Sequence, residues 1–160
     1  MGKRWAFSES KIHFDPGGTT STLLAEKVPL KPGERTWLMI SGLTLSEWYV
    51  NRLTRLWIDR GSVLSAHNMF SEGLNQFYAM LFSLNNQLTA DHKWRLFYAE
   101  QLTNLPKDFE SAIGNVMRVQ ALDEAEIVRR RDAFMGMWEE MLPKIENETG
   151  MKYQDFKDTV

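Results

Sequence analysis

The sequence predicts a mainly α-helical protein, a bundle of about five helices with a small β-rich arm at its N-terminus. From residue 43 onward, apolar residues recur at spacings of three and four, which is the period of a helix that buries one face. Before residue 43, short runs alternate polar and apolar residues between Pro and Gly. The 160 residues are enough for one domain with a sizeable core. We therefore predict an arm over residues 1–42 and a helical domain over residues 43–160.

The arm is predicted to hold two or three short strands. Residues 11–14 alternate polar and apolar side chains, and the Asp-Pro-Gly-Gly at 15–18 is a strong turn signal. Residues 21–30 and 35–40 can each hold a further short strand. Two or three short strands bury little surface by themselves. The arm therefore needs to pack against the helical part or against another domain.

The first two helices are predicted from their end signals. Thr44 and Glu47 have the spacing of a capping box, and Gly61 is suited to end the helix that this box begins. Ser62 can cap a second helix that runs to about Asn85. Apolar residues lie on more than one side of this second helix, so we expect it to be central in the bundle.

Three further helices follow a polar break at residues 86–91. The third helix is predicted to turn its large apolar residues inward, namely Trp94, Phe97, Tyr98 and Leu102. Pro106 suits the first turn of a fourth helix, and Asp123 suits the N-terminal cap of a fifth. Pro143 must kink or shorten that fifth helix.

Composition excludes several classes of function. The chain has no cysteine, which removes disulfides, thiolate catalysis and cysteine-ligated metal sites. Its net charge of -2 argues against extensive nucleic-acid binding. No apolar run approaches the ~20 residues of a membrane span, so we expect no membrane contact. The absence of cysteine fits a reducing cytosol, so we expect a cytoplasmic location. There is no phosphate-binding glycine loop and no H-E-x-x-H, and the histidines are scattered.

The polar break offers the best small-ligand site in the sequence. Lys93 lies near the start of a helix, where positive charge is unfavourable unless an anion offsets it. Free backbone amides and Lys93 would together bind a phosphate. Asn85 would point its amide into the same cleft, and Trp94 adjoins it. The alternatives are that Asn85 caps its helix and Trp94 belongs to the core.

A second candidate pair is Arg60 and His67. Six residues separate them, a spacing within the loose arginine–histidine pattern of HEPN ribonucleases. In the alternative interpretation, Arg60 caps the end of a helix and His67 is a half-buried, hydrogen-bonded helix residue.

Several short motifs together resemble a known family. They are Arg60-Gly61, the LFSLNN of residues 81–86, Lys93-Trp94 and Leu105-Pro106. In this order they resemble the C-terminal helical, HEPN-like substrate-binding domain of bacterial polymerase-beta-type nucleotidyltransferases. The likeness spans about residues 45–149. The turn at 15–18 also resembles the last strand and turn of the preceding catalytic domain, so the arm would be a remnant of its edge.

The resemblance implies how such a domain works. In the family, carboxylates of the catalytic domain hold two Mg²⁺ ions, and the helical domain lends a basic residue to the triphosphate. That role falls to Lys93, while Arg60, Asn85 and Trp94 match positioning or cleft-lining residues. This chain has no Asp-x-Asp, so it holds no cofactor alone. Mg²⁺ and a nucleoside triphosphate would act only with a separate catalytic domain as partner.

Three hypotheses follow. The first is a non-catalytic helical domain that binds a nucleotide or another small substrate, with nucleotidyltransferase activity only beside a catalytic domain. The second is a homodimeric protein-interaction or antitoxin-like module. The third is a HEPN-type ribonuclease that uses Arg60 and His67.

Overall fold

The computed structural model describes residues 2–157 and is mainly helical, as predicted. The helices are α1 (Gly2–Ser8), α2 (Thr19–Lys27), α3 (Pro32–Glu47), α4 (Thr54–Asp59), α5 (Val63–Leu84), α6 (Arg95–Ala99), α7 (Phe109–Met117), α8 (Glu124–Thr149) and α9 (Tyr153–Phe156). A π-helical turn, Trp48–Leu53, joins α3 to α4 in one continuous helical run. Within residues 2–157 no helix combines the length and the hydropathy needed to cross a bilayer.

The core is built around α5, as its apolar residues on several sides predict. Helix α3 packs along α5, and α8 packs against both of them; Phe77 of α5 and Phe134 of α8 lie edge to face with their centroids 5.1 Å apart. The indole of Trp138 donates to the Leu43 carbonyl at 2.9 Å and joins α8 to α3. The central part of the bundle is therefore a three-helix unit.

Two glycines set the distance between α3 and α5. A Cβ atom on Gly42 would lie 2.8 Å from the Gln76 carbonyl oxygen, and one on Gly73 would lie 2.5 Å from a methyl of Val50. Real Cβ atoms do not approach other atoms so closely. Glycine at these positions thus permits a close contact between the helices.

The predicted β-rich arm is wrong, because no strand forms between residues 2 and 157. Residues 19–27 are helix α2, and residues 35–40 lie inside α3. A short apolar run fits a buried helix as well as a strand, and here tertiary contacts decide between them. The Arg35 side chain donates to the Ser83 and Leu84 carbonyls at the end of α5 and pairs with Glu148 at 2.7 Å.

The turn predicted at residues 15–18 is confirmed. The Gly18 amide donates to the Asp15 carbonyl at 3.0 Å, and Gly18 has a positive φ of 66°. The Asp15 carboxylate accepts from the Ser21 amide and hydroxyl and from the Thr20 amide. The hydrogen bonds from Ser21 hold the pKa of Asp15 below its usual range. This loop therefore begins a helix where a strand was predicted.

The arm is attached to the bundle at few points. No residue from 3 to 31 is buried. The Arg4 side chain pairs with Glu34 and also donates to the Val28 and Pro29 carbonyls. The Trp5 ring meets the Tyr98 ring edge to face, with centroids 5.2 Å apart. Residues 3–31 of the predicted arm thus lie on the bundle surface, whereas Met39 and Ile40, near its end in α3, belong to the core.

Several predicted helix ends are confirmed and others are wrong. Gly61 ends α4 with a φ of 74°, and Asp123 caps α8 by accepting from the Glu126 amide at 2.9 Å. Thr44 does not begin a helix, because it lies inside α3 and is buried. Pro106 precedes α7 without entering it.

The prediction that Pro143 shortens the helix is wrong, since α8 continues through it to Thr149, and the alternative of a kink stays a prediction. Pro143 and Glu139, whose carbonyl loses its helical N–H donor, are both exposed. Solvent can therefore hydrate that carbonyl, which lowers the cost of proline inside the helix.

Candidate ligand-binding cleft

A cleft of about 590 Å³ opens between the N-terminal arm and the end of α5. Its walls come from α1, from residues 28–30, from residues 86–88 after α5, and from α6. The polar break of the sequence, residues 86–91, thus begins at the edge of this cleft. The volume is within the range of pockets that hold small organic ligands.

Two aromatic rings form one wall of the cleft. Trp5 and Tyr98 meet edge to face, and the Tyr98 hydroxyl donates to a carboxylate oxygen of Glu9 at 3.4 Å. Two more edge-to-face contacts continue outward from Tyr98 to Phe97, at 5.4 Å, and from Phe97 to Trp94, at 6.4 Å. The result is a row of four rings from the cleft to the surface beside Lys93.

Amide side chains supply hydrogen-bonding groups in the cleft. Asn86 and Gln87 are exposed, and within residues 2–157 no hydrogen bond engages their side chains. Gln101 donates to the Phe97 carbonyl at 3.1 Å. Glu9 is the one charged residue among those that line the cleft. The lining therefore suits a ring with polar edges better than a polyphosphate.

Asn85, the predicted ligand-binding residue next to Asn86, uses its side chain for hydrogen bonds within the protein. Its side-chain nitrogen donates to the Leu81 and Asn104 carbonyls at 2.8 and 3.1 Å. Its side-chain oxygen accepts from the amide and hydroxyl of Thr103 and from the Asn104 amide. The amide is thus occupied in fixing the loop before α7 to the end of α5, close to the capping role that was the alternative.

Lys93 and Trp94 lie at the surface at the far end of the ring row. The Lys93 ammonium is 6.0 Å from the centroid of the Trp94 ring. Trp94 is 46% exposed and Phe97 is 58% exposed, so the prediction that both face inward is wrong. Ala99 of α6 and Leu102 after it are buried, whereas Phe97 of α6 and Trp94 at its N-terminal cap stay in solvent.

Arg60 and His67 are not joined by a hydrogen bond in the described part of the chain. The Arg60 guanidinium lies 5.2 Å from the Trp57 ring centroid. His67 instead meets Arg130 of α8, with 2.7 Å between Nδ1 and an arginine nitrogen. Arginine only donates, so Nδ1 is the acceptor and the proton of the neutral imidazole is on Nε2.

Arg130 is a residue that sequence reasoning missed. It is 4% exposed, donates to the Val116 carbonyl at 2.7 Å, and lies 4.2 Å from the Phe70 ring centroid. Burial, and then the charge of Arg130, lower the pKa of His67. The burial of Arg130 could have been predicted from helical spacing. Arg130 lies three residues after buried Ile127 and four before buried Phe134, on the apolar face of α8.

Within residues 2–157, no group of three or more His, Asp or Glu side chains is arranged to hold a metal ion. No protein-family model, no curated protein and no solved structure matches this chain. The likeness to nucleotidyltransferases therefore stays a hypothesis that rests on the motifs alone. The fold and the cleft define the class, a helical protein with an aromatic-walled cleft between its arm and its bundle.

Proposed function

We propose that this chain is a non-catalytic binding protein whose cleft takes a small ligand with a planar, polar-edged ring, of which the nucleoside part of a nucleotide is the leading candidate. The observation that carries the proposal is the cleft of about 590 Å³ with Trp5 and Tyr98 in one wall and free amides at its edge.

The ring preference follows from the lining. Aromatic side chains stack on nucleobases, and each stacked base contributes about 1–3 kcal/mol. Asn and Gln amides both donate and accept, so Asn86 and Gln87 can match the edge of a heterocycle. Such a wall binds planar ligands with little loss of side-chain freedom, because Trp5 and Tyr98 already restrain each other.

The phosphates, in this proposal, extend toward Lys93. Two observations support this placement: Lys93 is an exposed cation at the outer end of the ring row, and it matches the lysine of the family motif. Transfer chemistry would need Mg²⁺ and the carboxylates of a separate catalytic domain. The chain is inactive alone in this proposal.

Isothermal titration with the four common nucleosides and their triphosphates tests the proposal. Trp5→Leu removes one ring of the wall, and Trp37→Leu is the matched control because Trp37 is exposed and lies outside the cleft. We expect Trp5→Leu to weaken nucleoside binding at least ~tenfold, equivalent to about 1.4 kcal/mol. Equal loss in both variants, or no saturable binding by any nucleoside, would contradict the proposal.

The role of Lys93 has its own comparison. Lys93→Ala is expected to weaken triphosphate binding while leaving nucleoside binding unchanged. Lys107→Ala is the control, since Lys107 is also exposed and lies away from the cleft lining. Equal effects of the two variants on triphosphate affinity would remove the role assigned to Lys93.

A protein-interaction module is the second candidate, and the arm favours it. Large apolar side chains stay exposed there, including Phe14 at 84%, Phe7 at 54% and Leu23 at 52%. Contiguous apolar surface marks interaction sites, and this candidate function requires these side chains to meet a partner together. We expect a homodimer in sedimentation if this function holds, and a monomer for Phe14→Ser. A strictly monomeric protein at high concentration would exclude the homodimer.

The ribonuclease hypothesis has less support than these two. His67 is hydrogen-bonded to Arg130, and Arg60 lies over Trp57. RNA cleavage that persists unchanged in His67→Ala would remove this hypothesis.

A further inference from the structure

A second pocket, of about 120 Å³, lies where α3 passes into the π-helical turn. Thr44, Glu47, Trp48 and Arg52 line it from that helical run, and Tyr153 and Lys157 line it from the C-terminal side. The sequence motif of Thr44 and Glu47, predicted as a capping box, is thus placed in the wall of a pocket. None of these residues lines the larger cleft.

The Thr44 hydroxyl is the unusual atom of this pocket. Thr44 is 6% exposed, and its hydroxyl oxygen is buried without a hydrogen-bond partner in the described part of the chain. The other buried serine and threonine hydroxyls of the helices, at Ser41, Ser46, Thr54 and Ser83, are bonded to carbonyls, and only the hydroxyl of the loop residue Thr89 shares the unpaired state among the described residues. Leaving a buried hydroxyl unpaired is costly, so a group that bonds to it when bound would relieve that cost.

The charges around the pocket favour an anion. Arg52 and Lys157 make no ion pair with any residue between 2 and 157. Glu47 faces them, and its carboxylate already accepts from the Asn51 amide at 2.9 Å. The lining therefore carries two cations against one carboxylate, an excess of one positive charge.

The π-helical turn produces this arrangement. A π-helix holds one residue more per turn than an α-helix, and single π turns inside α-helices frequently occur at functional sites. Here the wide turn begins at Trp48, directly after Glu47, and includes Arg52. Arg52, near the end of this turn, is therefore out of the register that a continuous α-helix would give it relative to Thr44 and Glu47.

We propose that this pocket binds a small carboxylate with a short apolar tail. The Thr44 hydroxyl donates to the carboxylate, Arg52 and Lys157 offset its charge, and the tail lies against Leu45 and the Trp48 ring. The pocket of about 120 Å³ has room for a small carboxylate such as butyrate and is much smaller than the cleft of about 590 Å³. This site is separate from the cleft, so either can fail without the other.

The test is a titration of isotope-labelled protein with sodium butyrate, followed by amide chemical shifts, with sodium chloride at the same ionic strength as the blank. We expect saturable shifts confined to residues 44–53 and 153–157. No saturable shift, or shifts equal to those from chloride, would overturn the proposal. Inorganic phosphate that binds where butyrate does not would overturn the choice of a carboxylate.

Two pairs of variants compare a side chain that is proposed to bind the ligand with a nearby side chain of the same type that is not. Thr44→Val is expected to abolish butyrate binding, whereas Thr54→Val, which removes a hydroxyl already bonded to the Tyr49 carbonyl, keeps it. Arg52→Gln is expected to weaken binding at least fivefold, and Arg55→Gln leaves it unchanged. Unchanged affinity in both Thr44→Val and Arg52→Gln would refute the site.

The binding test remains decisive even if a variant is destabilised or fails to fold. The apo form of Thr44→Val should unfold at no lower a temperature than the parent, because the lost hydroxyl had no partner. Thr54→Val should unfold at a lower temperature. If Thr44→Val does not fold, Thr44→Ser, which keeps the hydroxyl, must still bind butyrate, and loss of binding in Thr44→Ser would count against the proposal.

Discussion

The close contact of α3 with the backbone of α5 at Gly42 can be tested by adding one methyl group to it. In Gly42→Ala the new Cβ would lie 2.8 Å from the Gln76 carbonyl oxygen, 2.8 Å from the Met80 Cβ and 2.9 Å from the Met80 amide nitrogen. Two of these three atoms belong to the backbone of α5. No change of side-chain rotamer can move them, so the two helices must separate.

The size of the effect follows from two opposing terms. Overpacking of a well-packed core costs about 1–3 kcal/mol, and the rigid backbone contact places Gly42→Ala near the upper end. Alanine regains about 1 kcal/mol of helix propensity over glycine. We therefore expect a net loss of about 2 kcal/mol in the free energy of unfolding. For a domain of this size that lowers Tm by about 4–8 °C.

Gly136→Ala is the matched control, because Gly136 also lies inside a helix, α8, but has nothing within 4 Å of its added Cβ. It should raise the free energy of unfolding by about 0.5–1 kcal/mol. The assay is urea unfolding followed by far-ultraviolet circular dichroism. A Gly42→Ala protein that is stabilised as much as Gly136→Ala would refute the close packing of α3 on α5.

Three further predictions concern polar side chains. Asn85→Ala leaves the loop before α7 without its hydrogen bonds to the end of α5, so urea unfolding should show a loss of about 2 kcal/mol. The hydrogen bond from Arg129 lowers the pKa of Glu126 to about 2. The stability that ionised Glu126 contributes is therefore present above the unfolded pKa of ~4.3 and is lost as pH falls toward 2. Glu126→Gln should flatten the dependence of the free energy of unfolding on pH in that range. Burial lowers the pKa of His67 in the folded protein. As pH falls below ~6.5, the unfolded chain therefore binds a proton at His67 more readily than the folded protein does, and the free energy of unfolding decreases. His67→Asn keeps an acceptor for Arg130 and should remove that acid sensitivity in thermal unfolding measured from neutral pH down to about 5.

The helical part of the fold could be predicted where end signals and apolar spacing agreed. The central helix, predicted from Ser62 to about Asn85, runs from Val63 to Leu84. The first helix was placed too late, at Thr44, because Thr44 and Glu47 match a capping box by spacing alone. Nothing local in the sequence shows that Arg35 reaches the end of α5, a contact made by the helix that residues 35–40 form.

The candidate site was predictable only in part. The polar break after the central helix does border the cleft, because Asn86 and Gln87 lie there. The opposite wall comes from Trp5 and Glu9, more than 75 residues earlier in the chain. Their contact with Tyr98 depends on how the arm folds back, and no local pattern of residues encodes that.

The most direct test of the ligand cleft follows the tryptophan indole N–H signals during a nucleoside titration. The chain has six tryptophans, so six signals are expected and each is assigned by its own substitution. Because Trp5 lines the cleft and Trp37 does not, saturating adenosine, guanosine, cytidine or uridine should shift the Trp5 signal and leave that of Trp37 unchanged. A Trp5 signal that stays fixed with all four nucleosides would contradict the account.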